Sequence, residues 1–482
     1  MKLRGVVLVA AVAAALAAGC RGGSPKPAAS VRPAASPAPS AGAGFDVLLI
    51  TIDTLRADHL GMYGYPLPTS PRMDALAKQG TVFDSAYTYW PKTRASMIMM
   101  FTGRRPSLNG YSKTHPVLLG FNATIASTLK EAGYRTAAFV DNANVAAQHG
   151  YDKGFDSYLE TWQDESLPTE MDRARAISDG AIGFLKAARA EPGPFLLWLH
   201  YVNPHAPYEP PVPYDTAFLP PAAQRGPRLR VVKGYKGGLH ERLAHAGSEH
   251  LGEYVARYDG EIAAADREVG RVIEALDASG RRGRTLIVLT SDHGESLGEH
   301  DYFFDHGEDL FDPSLRIPLL IVAPGAPQGR RNDAFASTLD VMPTILDAVK
   351  VTYPPDLAGT SLYGAARGEA GPARERLFAQ NDYNLRGSFG RRFKLVATPV
   401  GDNEQWALYD RQADPGETRN VRQRMHDAFR VERRELDLYF ERMDREWTAT
   451  RRRVEGQPGE RRMTPEACEQ MKALGYVVAG CS

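Results

Sequence analysis

Two carboxylates and an imidazole stand where this sequence could grip a divalent cation. Asp53 follows the apolar run Phe45-Asp-Val-Leu-Leu-Ile-Thr-Ile, and Asp292-His293 follows Arg284-Thr-Leu-Ile-Val-Leu-Thr-Ser291. Carboxylate oxygens with an imidazole nitrogen suit a cation of borderline hardness. A hydroxyl, Thr93, opens the apolar stretch Thr93-Arg-Ala-Ser-Met-Ile-Met-Met-Phe-Thr-Gly103, which reads as a helix ending at a glycine. At a helix N-terminus the free N–H groups and the dipole favour an anion. A threonine hydroxyl is a weak nucleophile alone. Next to a divalent cation its proton leaves more easily, and its oxygen can attack phosphorus or sulfur. Taken singly, either aspartate could equally be a helix cap, and Thr93 alone reads more readily as an N-cap than as a nucleophile. Their occurrence together, with a histidine beside Asp292, favours ligation.

These groups need a frame, and four short apolar runs supply one: 45–53, 194–200, 284–290 and 317–323. Continuous hydrophobicity marks strands covered on both faces. Between the second and third, Glu249 to Leu276 places Leu251, Val255, Tyr258, Ile262, Val269 and Ile273 at helical spacing. Strands alternating with helices predict an α/β fold, with a mostly parallel central sheet between helices. In such sheets the active site lies outside the carboxyl ends of the strands, where Asp53 and Asp292 stand. After about residue 375 a hairpin is expected over Arg386–Val400 and Trp406–Asp410, then a charged helix within Asn420–Glu455. The expected division is a catalytic domain over 45–375 and a smaller C-terminal α+β subdomain with a helical tail over 376–482.

Composition narrows the function. The 482 residues carry 58 Lys plus Arg and 58 Asp plus Glu, a net charge of zero. This excludes a basic nucleic-acid binder and a polyanionic solvating protein. At 43% hydrophobic and 24% charged, wholesale disorder is excluded too. Cys20, Cys468 and Cys481 are too few for a disulfide scaffold, although Cys468 and Cys481 could pair in an exported chain. Lys2 and Arg4 precede an uncharged Ala/Val/Leu-rich run from Gly5 to Gly19 that is too short to span a membrane. Its close, Leu16-Ala-Ala-Gly-Cys20, resembles a bacterial lipobox, which implies a signal peptide over 1–20 and lipidation of Cys20. Residues 21–44 are rich in Pro, Ala, Ser and Gly and are expected to be a tether. The chain is therefore expected to be an exported bacterial lipoprotein, anchored to an envelope membrane on its periplasmic or surface face. No other run is apolar enough for a transmembrane helix.

From Phe45 to about Asn420 the motifs together resemble the sulfatase family of the alkaline-phosphatase superfamily. They are Asp53-Thr-Leu-Arg-Ala-Asp-His-Leu-Gly-Met-Tyr-Gly64, the Thr93–Gly103 segment, Leu199-His-Tyr-Val-Asn-Pro-His205-Ala-Pro-Tyr208, Thr290-Ser-Asp-His-Gly-Glu295, Leu297-Gly-Glu-His300, His306-Gly, Leu315-Arg-Ile-Pro318, Leu408-Tyr-Asp410 and Asp414-Pro. The resemblance implies metal ligation by Asp53, Asp292 and His293. It makes Thr93 both nucleophile and ligand. It also implies that His205 contacts the ester group and His306 the anion or leaving oxygen. One divalent cation is expected, calcium foremost and zinc or manganese also compatible. His200, His300 and Asp305 are the nearest candidates for a second metal, but they match single-metal loops at least as well.

The chain departs from the family pattern at four places. Thr93 replaces the Cys or Ser that is oxidised to formylglycine, so no formylglycine is expected. Met97 stands where an Arg or His is usual, and Thr54 where many members carry a second metal aspartate. Asp141, Asn142 and Ala143 replace a Lys-x-His that grips sulfate, and an acid at 141 disfavours a dianionic phosphomonoester. The expected activity is metal-dependent hydrolysis of a sulfate or phosphate (di)ester through a Thr93 alkoxide. The substrate would be a small-molecule, glycan or lipid ester; nucleic acid is not expected, and the oligomeric state is open. The alternatives are a phospho-group transferase at the membrane surface and a non-catalytic metal-binding lipoprotein.

Overall fold

The computed structural model describes residues 44–234, 236–457 and 463–474. The expected signal peptide, the expected lipidation site Cys20 and nearly all of the expected 21–44 tether lie outside the described residues, as does Cys481. Cys468 is disulfide-bonded. Among the described residues no helix is long and apolar enough to cross a membrane.

The main sheet has eight strands: β1 Asp46–Ile52, β2 Thr81–Tyr87, β3 Arg135–Val140, β4 Ser157–Glu160, β5 Phe195–Tyr201, β6 Thr285–Ser291, β7 Leu319–Val322 and β8 Arg330–Ser337, in the order β8-β2-β7-β6-β1-β5-β3-β4. β1 is central and pairs in parallel with β5 and β6. The run at 317–323 is shorter than expected and is the one strand of this sheet that runs the other way, antiparallel to both β6 and β2.

The uninterrupted hydrophobicity of β1 follows from burial on both faces. Val47 and Leu49 enter one apolar cluster, and Leu48 and Ile50 enter the other. On the first face lies helix α1, Thr93–Thr102, whose residues Met97 to Phe101 are all buried. On the second face lie α2, Glu170–Ala188, and α3, Leu251–Ala278, which contribute Ile177, Leu185, Ile262 and Val272.

The expected hairpin is part of a four-stranded antiparallel sheet formed by β9 Arg376–Gln380, β10 Arg386–Gly390, β11 Phe393–Val400 and β12 Asn403–Asp410. Helix α4, His426–Val454, packs on it through Phe378 stacked on Tyr439 at 3.8 Å and an Arg376–Glu432 ion pair of 2.8 Å. A last helix, α5, spans Pro465–Ala473.

Candidate active site

The register Ile52↔Ser291 between β1 and β6 brings Asp53 and Asp292 side by side where both strands end. The backbone N–H of Asp53 still donates to Tyr201 O at 2.9 Å, so it is held as a continuation of β1. Asp53, Asp292 and His293 each offer a ligand atom within 4.8 Å of the others, and all three are fully buried. His293 Nε2 lies 3.3 Å from Asp292 Oδ2 and 3.7 Å from Asp53 Oδ1. Helix α1 adds the hydroxyl: Thr93 Oγ1 lies 3.2 Å from His293 Nε2. Ser96, one turn along, pins the helix by donating to Asp292 O at 2.7 Å. Lys92, not Thr93, is the N-cap, and the Thr93 side chain caps nothing.

These residues fit a divalent cation. Asp53 Oδ1 and Asp292 Oδ2 are buried with no hydrogen-bond partner, a costly state for two adjacent carboxylates unless a positive charge lies between them. Burial, and then the charge of Asp292, push the Asp53 carboxyl well above its usual range. Metal–ligand bonds of about 2.0–2.6 Å put neighbouring ligand atoms roughly 3–4 Å apart, the spacing of His293 Nε2 from Asp292 Oδ2, Asp53 Oδ1 and Thr93 Oγ1. His293 Nδ1 donates to Gly294 O at 2.9 Å, so Nε2 turns its lone pair toward the cluster. Burial holds this imidazole below its ordinary pKa.

His205 and His306 join the same site. The His306 ring is 4.1 Å from that of His293 and 5.2 Å from that of His205. His306 Nδ1 lies 2.9 Å from Glu295 Oε1, and His205 Nδ1 donates to Ala206 O at 2.6 Å. Burial lowers His205 to about 4 and takes His306 well below the ordinary range. His200 sits under the cluster with Nε2 3.9 Å from Asp53 Oδ2. His300 instead stacks on Phe311 at 3.5 Å, and Asp305 accepts from His306 N at 2.8 Å.

The four departures have structural counterparts. Met97 is fully buried in the apolar cluster under α1, so nothing polar replaces the usual cation there. Arg94 leaves the helix on another side, with Nη2 3.2 Å from His149 Nε2. Thr54 adopts φ 53°, rare for a β-branched residue, and its N–H donates to Asp292 Oδ1 at 3.3 Å. Asp141 does not confront a substrate as a free charge. Arg173 Nε binds its two oxygens at 2.8 and 3.0 Å, and this pairing removes the charge repulsion expected against a dianion.

Two neighbours have contacts that motif reading did not supply. Asn142 Nδ2 donates to Asp53 Oδ2 at 2.5 Å. Lys92 lays its stem on Gly307, where an added Cβ would come within 2.5 Å of Lys92 Cε, and its ammonium lies 3.4 Å from Asp382. Lys92 precedes the nucleophile candidate, and its charge adds to burial in depressing His293 and His306.

A mostly parallel sheet carrying carboxylates, imidazoles and a helix-terminal hydroxyl at its carboxyl edge defines an ester hydrolase of the alkaline-phosphatase type. Residues 46–351 match the sulfatase family model, and residues 298–437 match that of the N-sulphoglucosamine sulphohydrolase C-terminal region. The chain belongs to the sulfatase family. It is 28% identical to the uncharacterized sulfatase YidJ of Escherichia coli strain K12 over 79% of this chain and 85% of that one. It is 25% identical to an N-acetylglucosamine-6-O-sulfatase of Bacteroides thetaiotaomicron, over 78% and 82% of the two chains. Among solved structures, the phosphonate monoester hydrolase of Agrobacterium radiobacter shares the fold with a TM-score of 0.69 at 22% identity, covering 83% of this chain and 96% of its own.

Proposed function

We propose that this protein hydrolyses a sulfate or phosphate (di)ester by direct attack of Thr93, without a formylglycine. The observation that carries the reading is the Thr93 hydroxyl 3.2 Å from His293 Nε2, beside two buried carboxylates with unpartnered oxygens. A hydroxyl turned away from that cluster would instead have favoured a non-catalytic protein. Asp53, Asp292, His293 and Thr93 would hold the cation, calcium foremost by the oxygen-rich donor set, with zinc and manganese compatible. When bound, it supplies positive charge that lowers the proton affinity of the hydroxyl and draws in an anionic ester.

The chain's own groups account for the rest. The start of α1 directs free N–H groups at the incoming anion. Thr93 Oγ1 gives up its proton to solvent and forms a bond to sulfur or phosphorus as the bond to the in-line ester oxygen breaks. His306 and His205 are the groups available to carry a proton to that oxygen. Both are held neutral by burial, and an anionic ester beside them favours their protonated forms. Water then releases the sulfo or phospho group from Thr93. The N-acetylglucosamine-6-O-sulfatase among its relatives supports a glycan ester as substrate. A lipid on Cys20 and the 21–44 tether would hold the enzyme at an envelope membrane.

The test is a quench experiment. Protein turning over aryl sulfate, aryl phosphate or bis-aryl phosphodiester is acid-quenched and the Thr93 peptide is weighed by exact mass. A sulfo or phospho adduct on Thr93 is expected. Turnover that survives Thr93→Ala unchanged refutes the assignment.

A further inference from the structure

Helix α5 begins beyond both stretches that the family models match, yet it packs on the segment that carries Asn142, the partner of Asp53. Met463, Ala467, Cys468 and Met471 pack against Ala143 and Trp162. From this helix Gln470 enters the segment that replaces the family's sulfate-gripping pair. Its Oε1 accepts from Ala143 N at 2.5 Å, and its Nε2 donates to Asp141 Oδ1 at 3.4 Å. The residue between those two contacts is Asn142. Its side chain is fully buried and held at both ends: Oδ1 accepts from Asn144 N at 2.8 Å, and Nδ2 donates to Asp53 Oδ2 at 2.5 Å. That bond occupies one oxygen of Asp53 and leaves the other, Oδ1, without a partner and directed at His293.

We propose that Gln470 is a positioning residue for the cation site, acting through Asn142 to fix the rotation of the Asp53 carboxylate. The inference rests on the metal ligation proposed above. Its physical basis is that partners one step behind a ligand set that ligand's orientation and basicity. A single amide here clamps the residues on either side of Asn142. A segment remote from the motif residues thereby governs the geometry at Asp53.

The experiment is calorimetric titration of chelator-stripped, full-length protein with calcium chloride, and in a second arm with zinc chloride. Gln470→Met keeps the volume and the packing against Ala143 but deletes both hydrogen bonds. It is expected to weaken cation binding about tenfold, and Asn142→Ala by at least as much. The double variant is expected to match Asn142→Ala within about twofold, because Gln470 acts through that residue. Circular dichroism of each variant checks that it is folded. If Gln470→Met does not fold, Gln470→Ala takes its place in the cycle. Wild-type affinity in a folded Gln470 variant overturns the inference alone, as do losses that multiply in the double variant. A wild-type protein that binds neither cation overturns the metal site and this inference together.

Discussion

Replacing Arg173 by methionine should destabilise the protein strongly at pH 8 and much less at pH 5.5. Asp141 is completely buried, and Arg173 Nε bonds both of its oxygens. Even with this partner, burial raises Asp141 to about 6, because desolvation outweighs the guanidinium. A folded-state pKa above the unfolded one means that the folded chain holds the proton more tightly. The corresponding stability is present in full below about pH 4 and is lost as pH rises through about 6. Without Arg173 the ionised carboxylate is unpaired, which costs about 3–5 kcal/mol. The protonated acid needs no cation, so acidification should recover much of that loss. Asp141→Asn in the Arg173→Met background should restore most of it at pH 8. Urea unfolding of the three proteins at the two pH values measures this directly. A loss below about 1 kcal/mol at pH 8, or an equal loss at both pH values, would refute the buried-pair argument.

Three further outcomes are expected. Thr93→Ser, which keeps a hydroxyl at the start of α1, should retain measurable turnover, whereas Thr93→Ala should lose about a thousandfold or more in kcat; comparable rates for the two would count against a threonine nucleophile. Lys92→Met should raise KM for anionic esters about three- to tenfold with little change in kcat, as removal of a partly exposed charge does, and steady-state kinetics at two ionic strengths would show it. Asp266 is raised by burial to about 7, although it accepts from Arg72 N and Met73 N at the start of a short helix. Its contribution favours the folded state at low pH and is lost between about pH 4 and 7, so Asp266→Asn should flatten the pH dependence of stability over that window by up to about 4 kcal/mol. An unchanged slope in denaturant titrations would contradict this.

The frame of the site was readable because its signals are local. Asp53 and Asp292 each follow an unbroken apolar run, and such runs become neighbouring parallel strands whose ends coincide. Thr93 stands at the start of an apolar stretch closed by Gly103, which is how a buried helix looks in a sequence. The remainder depends on contacts through space. The run at 317–323 has the same composition as its neighbours, and nothing in it distinguishes β7 as the reversed strand; its direction follows from where the chain re-enters the sheet. Asp141 reads as a free acid until Arg173 on α2 is seen beside it. Lys92 and Gln470 carry no periodicity or motif, and Asn142 is noticed only as a departure from one; their places near Gly307, Ala143 and Asp53 come from tertiary packing alone.

The central position of β1, between β5 and β6, has a bearing on how the protein comes into being. Its first metal-ligand candidate is among the earliest parts of the domain to be synthesised, while its neighbours Asp292 and His293 follow only after most of the main sheet has been translated. A ribosome-bound chain therefore passes through a long interval with Asp53 and Thr93 already made and Asp292 and His293 still to come. On the proposed ligation, capture of the cation would be a late event in biosynthesis, and a prematurely terminated chain lacking β6 would keep only Asp53 and Thr93 of the four ligands.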